Sequence, residues 1–289
     1  MKKNFLKKFV LFMIITAMSL LCVSCKKENS LKKEIIMCSY GADVKNSIPF
    51  TLGAIEKALQ KAYPKYKVDM CFTSEHIINY LKEHDNYIVK NMKQALDEAV
   101  ECGIEDVVVL PVYFLDGVVL KSVVKEIMEY QPKFKKLSVA DYLMASDRDF
   151  EEIADVVIKR TAEYNSTDTA ICIAGHGTSS DTNSNYLKFQ KIIRERGDGF
   201  YLVGTLDADP TVDDLIEELK KNSEIKNVLI VPLMIDGGGH ITNDIASDEE
   251  DSWKSKFLAN GYNVECVMEG LAVQPEIQQI FVRHAKAAM

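Results

Sequence analysis

Two stretches in opposite halves of the chain close in the same way. VVLPVYFLDG (108–117) and VLIVPLMIDGG (228–238) are both apolar runs that carry one proline and end on Asp-Gly. Upstream of each lies a second matching pair, SYG at 39–41 and GHG at 175–177, again directly after an apolar run. Self-similarity of this kind within one chain is the mark of a repeated architecture. On that register Tyr40 falls opposite His176, and Val119 falls opposite His240.

Hydrophobic patterning says what each half contains. EIIMCSYG (34–41), VDMCFTS (68–74), DVVVLPVYF (106–114) and KLSVADYL (136–143) read as strands, with helical spacing over 47–62, 75–103 and 117–131 between them. Near-continuous apolar runs, rather than strict alternation, suit strands that are covered on both faces. The second half follows the same plan. Strands are expected at 168–177, 200–210, 227–240 (with its loop) and 262–268, and helices at 181–197, 211–223, 249–260 and 274–288. This order predicts an α/β fold of two pseudo-symmetric lobes, 34–160 and 161–289, each a mostly parallel sheet flanked by helices.

The first residues read differently. A basic stretch, MKKNFLKK, precedes FVLFMIITAMSLL (9–21), which is too short for a comfortable membrane span, and CVSCKKENS follows. That is the layout of a bacterial export signal. It predicts a signal peptide over 1–25 with lipidation at Cys25 and a polar tether over 26–33. The mature protein is then an exported lipoprotein, held to the membrane by its lipid on the periplasmic or cell-surface side. Five further cysteines remain, Cys38, Cys71, Cys102, Cys172 and Cys266, and none has the CxxC spacing of a zinc knuckle. A formal net charge of -8 with no basic face argues against a nucleic-acid partner. No P-loop, dinucleotide fingerprint, GxSxG or HExxH is present, so no nucleotide cofactor is expected.

In open parallel sheets, ligands bind beyond the carboxyl ends of the strands. His176 stands there, between two glycines, and can ligate a metal or exchange a proton near neutral pH. His240 stands at a comparable end, after Gly237, Gly238 and Gly239; a triplet so costly in backbone entropy suggests a loop that moves or lies against a flat ligand. Asp207 follows the strand FYLVGTL, also on the carboxyl side. Two histidines and a carboxylate make an N/O site suited to Co, Fe, Ni or Zn with positions open for substrate. The competing reading is that Asp207 or Asp209 only caps the helix after Pro210. In SDEEDSW (247–253), Ser247 and Glu250 have the spacing of a capping box, and Trp253 is expected to pack. His76, His84 and His284 lie in helical stretches and read as surface or core residues.

PLMIDGGGHITNDIASDEEDSW, AGHGT around His176 and VGTLDADPTVDDL resemble the anaerobic sirohydrochlorin cobaltochelatase family (CbiK type), and SYGAD, FTSEHIINYL and VYFLDG do so more loosely. The resemblance spans 34–289. It implies a chelatase-like fold and insertion of Co²⁺ into sirohydrochlorin in anaerobic cobalamin biosynthesis, with Fe²⁺ or Ni²⁺ as alternative metals. It implies His176 and His240 as catalytic residues, and His176, Asp207 and His240 as metal-binding. Ser39, Tyr40 and the three glycines 237–239 would meet the macrocycle. Two departures stand out: Asp207 replaces the family's usual Glu, and Val118-Val119 replace an acidic pair. With the export signal, they leave open a second class, an exported lipoprotein that binds haem, another tetrapyrrole or metal with little or no chelatase activity. A homo-oligomer is compatible with either.

Overall fold

The structure is a computed structural model that describes residues 31–289. The predicted signal peptide, Cys25 and most of the tether lie outside the described residues. The tether stops sooner than predicted, since the Lys32 carbonyl accepts from the Glu105 and Asp106 N–H groups and Lys33 already belongs to a strand.

The first half runs β1 (Lys33–Ser39), α1 (Leu52–Ala62), β2 (Lys67–Phe72), α2 (Glu75–Asp85), β3 (Lys90–Asn91), α3 (Met92–Glu101), β4 (Asp106–Pro111), α4 (Val118–Met128), β5 (Lys136–Val139) and α5 (Asp147–Thr161). The second runs β6 (Thr169–Gly175), α6 (Ser184–Arg196), β7 (Phe200–Thr205), α7 (Val212–Leu219), β8 (Asn227–Pro232), α8 (Trp253–Ala259), β9 (Asn263–Cys266) and α9 (Pro275–Ala288), with a π-helical turn at His240–Ile245. The sheets are ordered β3-β2-β1-β4-β5 and β7-β6-β8-β9, and every pairing is parallel.

The two sheets share one register. Cys38 lies opposite Pro111 in the first as Ala174 lies opposite Pro232 in the second. Ser39 lies opposite Phe72 as Gly175 lies opposite Thr205. Tyr40 and His176, one residue further on, therefore occupy the same place in the duplicated plan.

Both faces of each central strand are covered, which is why they read as unbroken apolar runs. Ile35 and Met37 of β1 face a core that also holds Ile171 and Ile173 of β6, together with residues of α1, α5, α6 and α9. Ile36 and Cys38 face a separate outer core with Leu96 of α3 and Val123 and Ile127 of α4. Cys172 of β6 faces the second outer core with Leu215, Trp253 and Phe257. The large central core thus belongs to both halves.

Two helices cross between the halves. α5, which lies where no helix is expected from sequence, packs on α6, while α9 returns to α1 and β4. They meet at Asp149, which is fully buried and bonded to His284 Nε2 (3.0 Å) and to Arg283. Burial would raise that carboxyl, but His284, Ser146 and Arg283 outweigh it and hold it at about 2. The capping box expected from Ser247 and Glu250 does not form. The π-helical turn uses the preceding residues, so α8 starts later, capped by the Ser252 side chain on the Ser255 N–H, and Ser247 Oγ donates to the Asn243 carbonyl instead. Trp253 packs in the core.

Candidate active site

Loops from the carboxyl ends of β1, β4, β6, β7 and β8 converge on one cleft between the halves. His176 and Asp207 are brought together by the backbone: β6–β7 pairing continues past the strands, with Leu206 N–H donating to Gly175 O (3.0 Å) and Asp207 N–H to His176 O (2.9 Å). The flanking glycines have distinct reasons. A side chain at Gly175 would begin 2.2 Å from the Tyr186 ring, and Gly177 has φ +89. The Gly177 N–H donates to Tyr186 Oη at 3.3 Å, so the turn carrying His176 is fixed from below. Neither Asp207 nor Asp209 caps the next helix, because Thr211 does so in a capping box with Asp214.

His176 is half exposed, with Nδ1 3.0 Å from Gly177 O and 3.4 Å from Asp207 Oδ2. The His240 ring meets it edge-on, the ring centroids 4.7 Å apart. His240 Nδ1 lies 2.6 Å from Asp244 Oδ2. Among the described residues, no three His, Cys, Asp or Glu side chains gather tightly enough to hold an ion as they stand. The structure therefore places His176, Asp207 and His240 side by side, as a pair and a neighbour, not as a closed three-ligand site. Each Nδ1 is engaged, one with a carbonyl and the other with Asp244.

The glycine triplet also makes a contact that its sequence does not announce. Gly239 N–H donates to Asp43 Oδ1 of the first half at 2.8 Å. A side chain on Gly239 would begin 2.4 Å from Asp43 Oδ2, and one on Gly238 would begin 2.9 Å from Asp43 Oδ1. Thr51 Oγ1 adds a second tie across the halves, donating to Asp236 Oδ1 at 2.7 Å. Two of the three glycines thus make room for a carboxylate from the other lobe.

The cleft has a volume of about 270 Å³, and Ser39, Tyr40, Tyr113, His176, His240 and the three glycines are among its walls. Among the described residues, no lysine or arginine lines it. Burial pushes the Tyr113 and Tyr186 hydroxyls up, so both stay protonated. Val118 and Val119 start α4 and are exposed, at 66% and 44%. The Gly117 before them lies beside Thr178 of the His176 loop. Sequence patterns alone assign no role to Asp43, Asp244, Tyr113 or Tyr186. Asp244 is detectable as the residue four after His240, the spacing at which helical side chains meet. Asp43 is not, because its partner lies in the other half.

The sequence model of the family Cobalt chelatase (CbiK) matches residues 33–289. A sirohydrochlorin cobaltochelatase of Salmonella typhimurium is 27% identical over 259 residues, covering 90% of this chain and 97% of that protein. The sirohydrochlorin cobaltochelatase CbiKC of Nitratidesulfovibrio vulgaris is 25% identical, covering 89% and 91%. Among solved structures, SirB from Bacillus subtilis with Fe³⁺ superposes with a TM-score of 0.63 at 16% identity, over 89% of this chain and 95% of that one. CbiX, from siroheme biosynthesis in denitrifying bacteria, gives 0.58 at 13% identity, over 89% and 100%. These two likenesses establish the two-sheet chelatase fold.

Proposed function

The chain belongs to the cobalt chelatase (CbiK) family and is a metal chelatase, and on that premise we propose that it inserts Co²⁺ into sirohydrochlorin, with the metal as substrate. The observation that carries this reading is the pairing of His176 and His240 in one cleft beyond the carboxyl ends of β6 and β8, their rings 4.7 Å apart. The ion is held by His176, Asp207 and His240. Ligands about 2.1 Å from one tetrahedral ion lie about 3.4 Å from each other, and His176 Nδ1 and Asp207 Oδ2 are 3.4 Å apart. For that pair to chelate, Nδ1 must give up its proton and turn from the Gly177 carbonyl.

The macrocycle enters against Ser39, Tyr40 and the glycine loop. Insertion releases two pyrrole protons, and the neutral imidazoles of His176 and His240 accept one each as the ion leaves them for the ring. Replacing His176 or His240 by Ala is expected to reduce insertion by about a hundredfold or more, a general-base-sized loss. The change in the sirohydrochlorin absorption spectrum on adding Co²⁺ measures it, and wild-type rates in both variants would refute the assignment. In the same reading the protein is exported and lipid-anchored at Cys25, which labelling with a radioactive fatty acid would test against a Cys25→Ser control.

One observation favours a second reading. Among the described residues, the cleft walls carry no lysine or arginine, and the exposed Val118-Val119 pair begins the adjacent helix. A lining of that kind suits a macrocycle with few peripheral carboxylates, such as haem, which arrives with its metal and is only bound. Stoichiometric haem binding without turnover of sirohydrochlorin and Co²⁺ would favour it over the first.

A further inference from the structure

We propose that Asp244 is a positioning residue that decides which nitrogen of His240 faces the cleft. The proposal rests on reading His240 as the metal-facing imidazole. The contact itself is the first observation: Asp244 Oδ2 lies 2.6 Å from His240 Nδ1, as short as a charge-assisted hydrogen bond.

The second observation is that the turn is built to hold this pair. Ile241 and Ile245, four residues apart, are fully buried in the second outer core. The same offset one residue earlier leaves His240 and Asp244 side by side on the open face, each about half exposed. The turn is pinned at its start, where Gly239 N–H meets Asp43 and Thr242 Oγ1 donates to Gly239 O at 3.1 Å. It is pinned at its end, where Ser247 Oγ donates to Asn243 O. Its π winding is a rare form, found mostly as single turns and frequently at functional sites.

The consequence concerns the proton on the ring. A neutral imidazole has one N–H and one lone pair, and the hydrogen bond at one nitrogen sets which is which. With Nδ1–H given to Asp244, the lone pair sits on Nε2. That nitrogen is left to take the ion or a pyrrole proton. Carboxylates that hold a metal-facing histidine in this way fix ring orientation and raise ligand basicity. His176 has the weaker arrangement, a carbonyl at 3.0 Å and a carboxylate at 3.4 Å on its Nδ1.

The test compares Asp244→Leu, of similar size but with no acceptor, with Asp244→Asn, which keeps an accepting oxygen without the charge. Long-range ¹H–¹⁵N NMR on full-length, histidine-labelled protein without metal reads the His240 tautomer. Steady-state insertion reads kcat and the KM for Co²⁺. Wild type should show the Nδ1–H form alone. Asp244→Leu should show mixed tautomers and a KM for Co²⁺ about tenfold to a hundredfold higher, with an unchanged unfolding midpoint, and Asp244→Asn should recover most of both. A wild-type tautomer and KM in Asp244→Leu would overturn the proposal, as would equal losses in the two variants. If the leucine variant fails to fold, Asp244→Ala provides the same comparison. If wild type inserts no cobalt, the functional reading fails, while the tautomer and Co²⁺ binding followed by its visible absorption still decide the role of Asp244.

Discussion

Glu34 lies on β1 at the end of the sheet away from the cleft, fully buried, with Lys67 Nζ 3.1 Å from Oε1. Burial raises its pKa to about 7, and the Lys67 charge only partly offsets this. The folded value lies above the ordinary 4.5, so between those values the folded chain holds a proton that the unfolded chain has released. Stability is then greatest below about 4.5 and falls as pH rises through 7. The expected loss is on the order of 2 kcal/mol, because each pH unit between the unfolded and folded values costs roughly 1.4 kcal/mol before relaxation reduces it. In Glu34→Gln this loss should be absent, since Lys67 retains Glu98 at 3.1 Å and Asp69 at 3.5 Å. Urea unfolding between pH 5 and pH 8 would show it, and parallel pH profiles for the two proteins would refute the assignment. The residues of the site differ from Glu34 in being half exposed, so a ligand can reach them.

The element that ties the site together is the loop from β8 into the π-helical turn. Its conformation depends on a carboxylate from another element: Asp43 fills the space a side chain on Gly239 would need. Gly239→Ala is expected to push the exposed Asp43 carboxylate aside and weaken its bond to the Gly239 N–H, a loss of about 0.5–1.5 kcal/mol, and to lower insertion by displacing His240. In an Asp43→Ala background, where that bond is already absent, Gly239→Ala should cost less. A double-mutant cycle on unfolding free energies measures this, and strictly additive effects would argue against the contact. The loop after β6 is fixed otherwise, by the Tyr186 ring packing against Gly175 within one half. The two histidines therefore reach the cleft through loops anchored differently, one locally and one across the lobes.

At the scale of the molecule, the lobes are not independent. α5 packs on α6 of the second half, α9 returns to α1 and β4 of the first, and the central core draws on both sheets. Asp149 bonds Arg283 and His284 where the two helices meet. Unfolding is therefore expected to be a single cooperative transition, with calorimetric and van't Hoff enthalpies in agreement. Two separated transitions in scanning calorimetry would show that the lobes fold alone. Shared packing also means that the cleft, whose walls come from both lobes, is held at a set width by helices far from the chemistry.

Strand positions, the parallel plan and the equivalence of Tyr40 with His176 were all readable in the chain, because apolar runs and terminal glycines act over a few residues. So was the placement of both histidines on the carboxyl side of the second sheet, His176 directly after β6 and His240 in the loop region after β8. The chain did not disclose that α9 crosses back, because an amphipathic pattern names the buried face of a helix and not what covers it. Nor did it disclose why Gly238 and Gly239 are glycines. Their reason is Asp43, far away in sequence and adjacent only after the lobes pack. The same holds for the site's incomplete closure: residue types and spacing announce three metal-binding side chains, but which nitrogen faces which carboxylate depends on contacts that exist only in the folded chain. Local chemistry was written in the order of residues, and orientation came from contacts between segments that the order keeps apart.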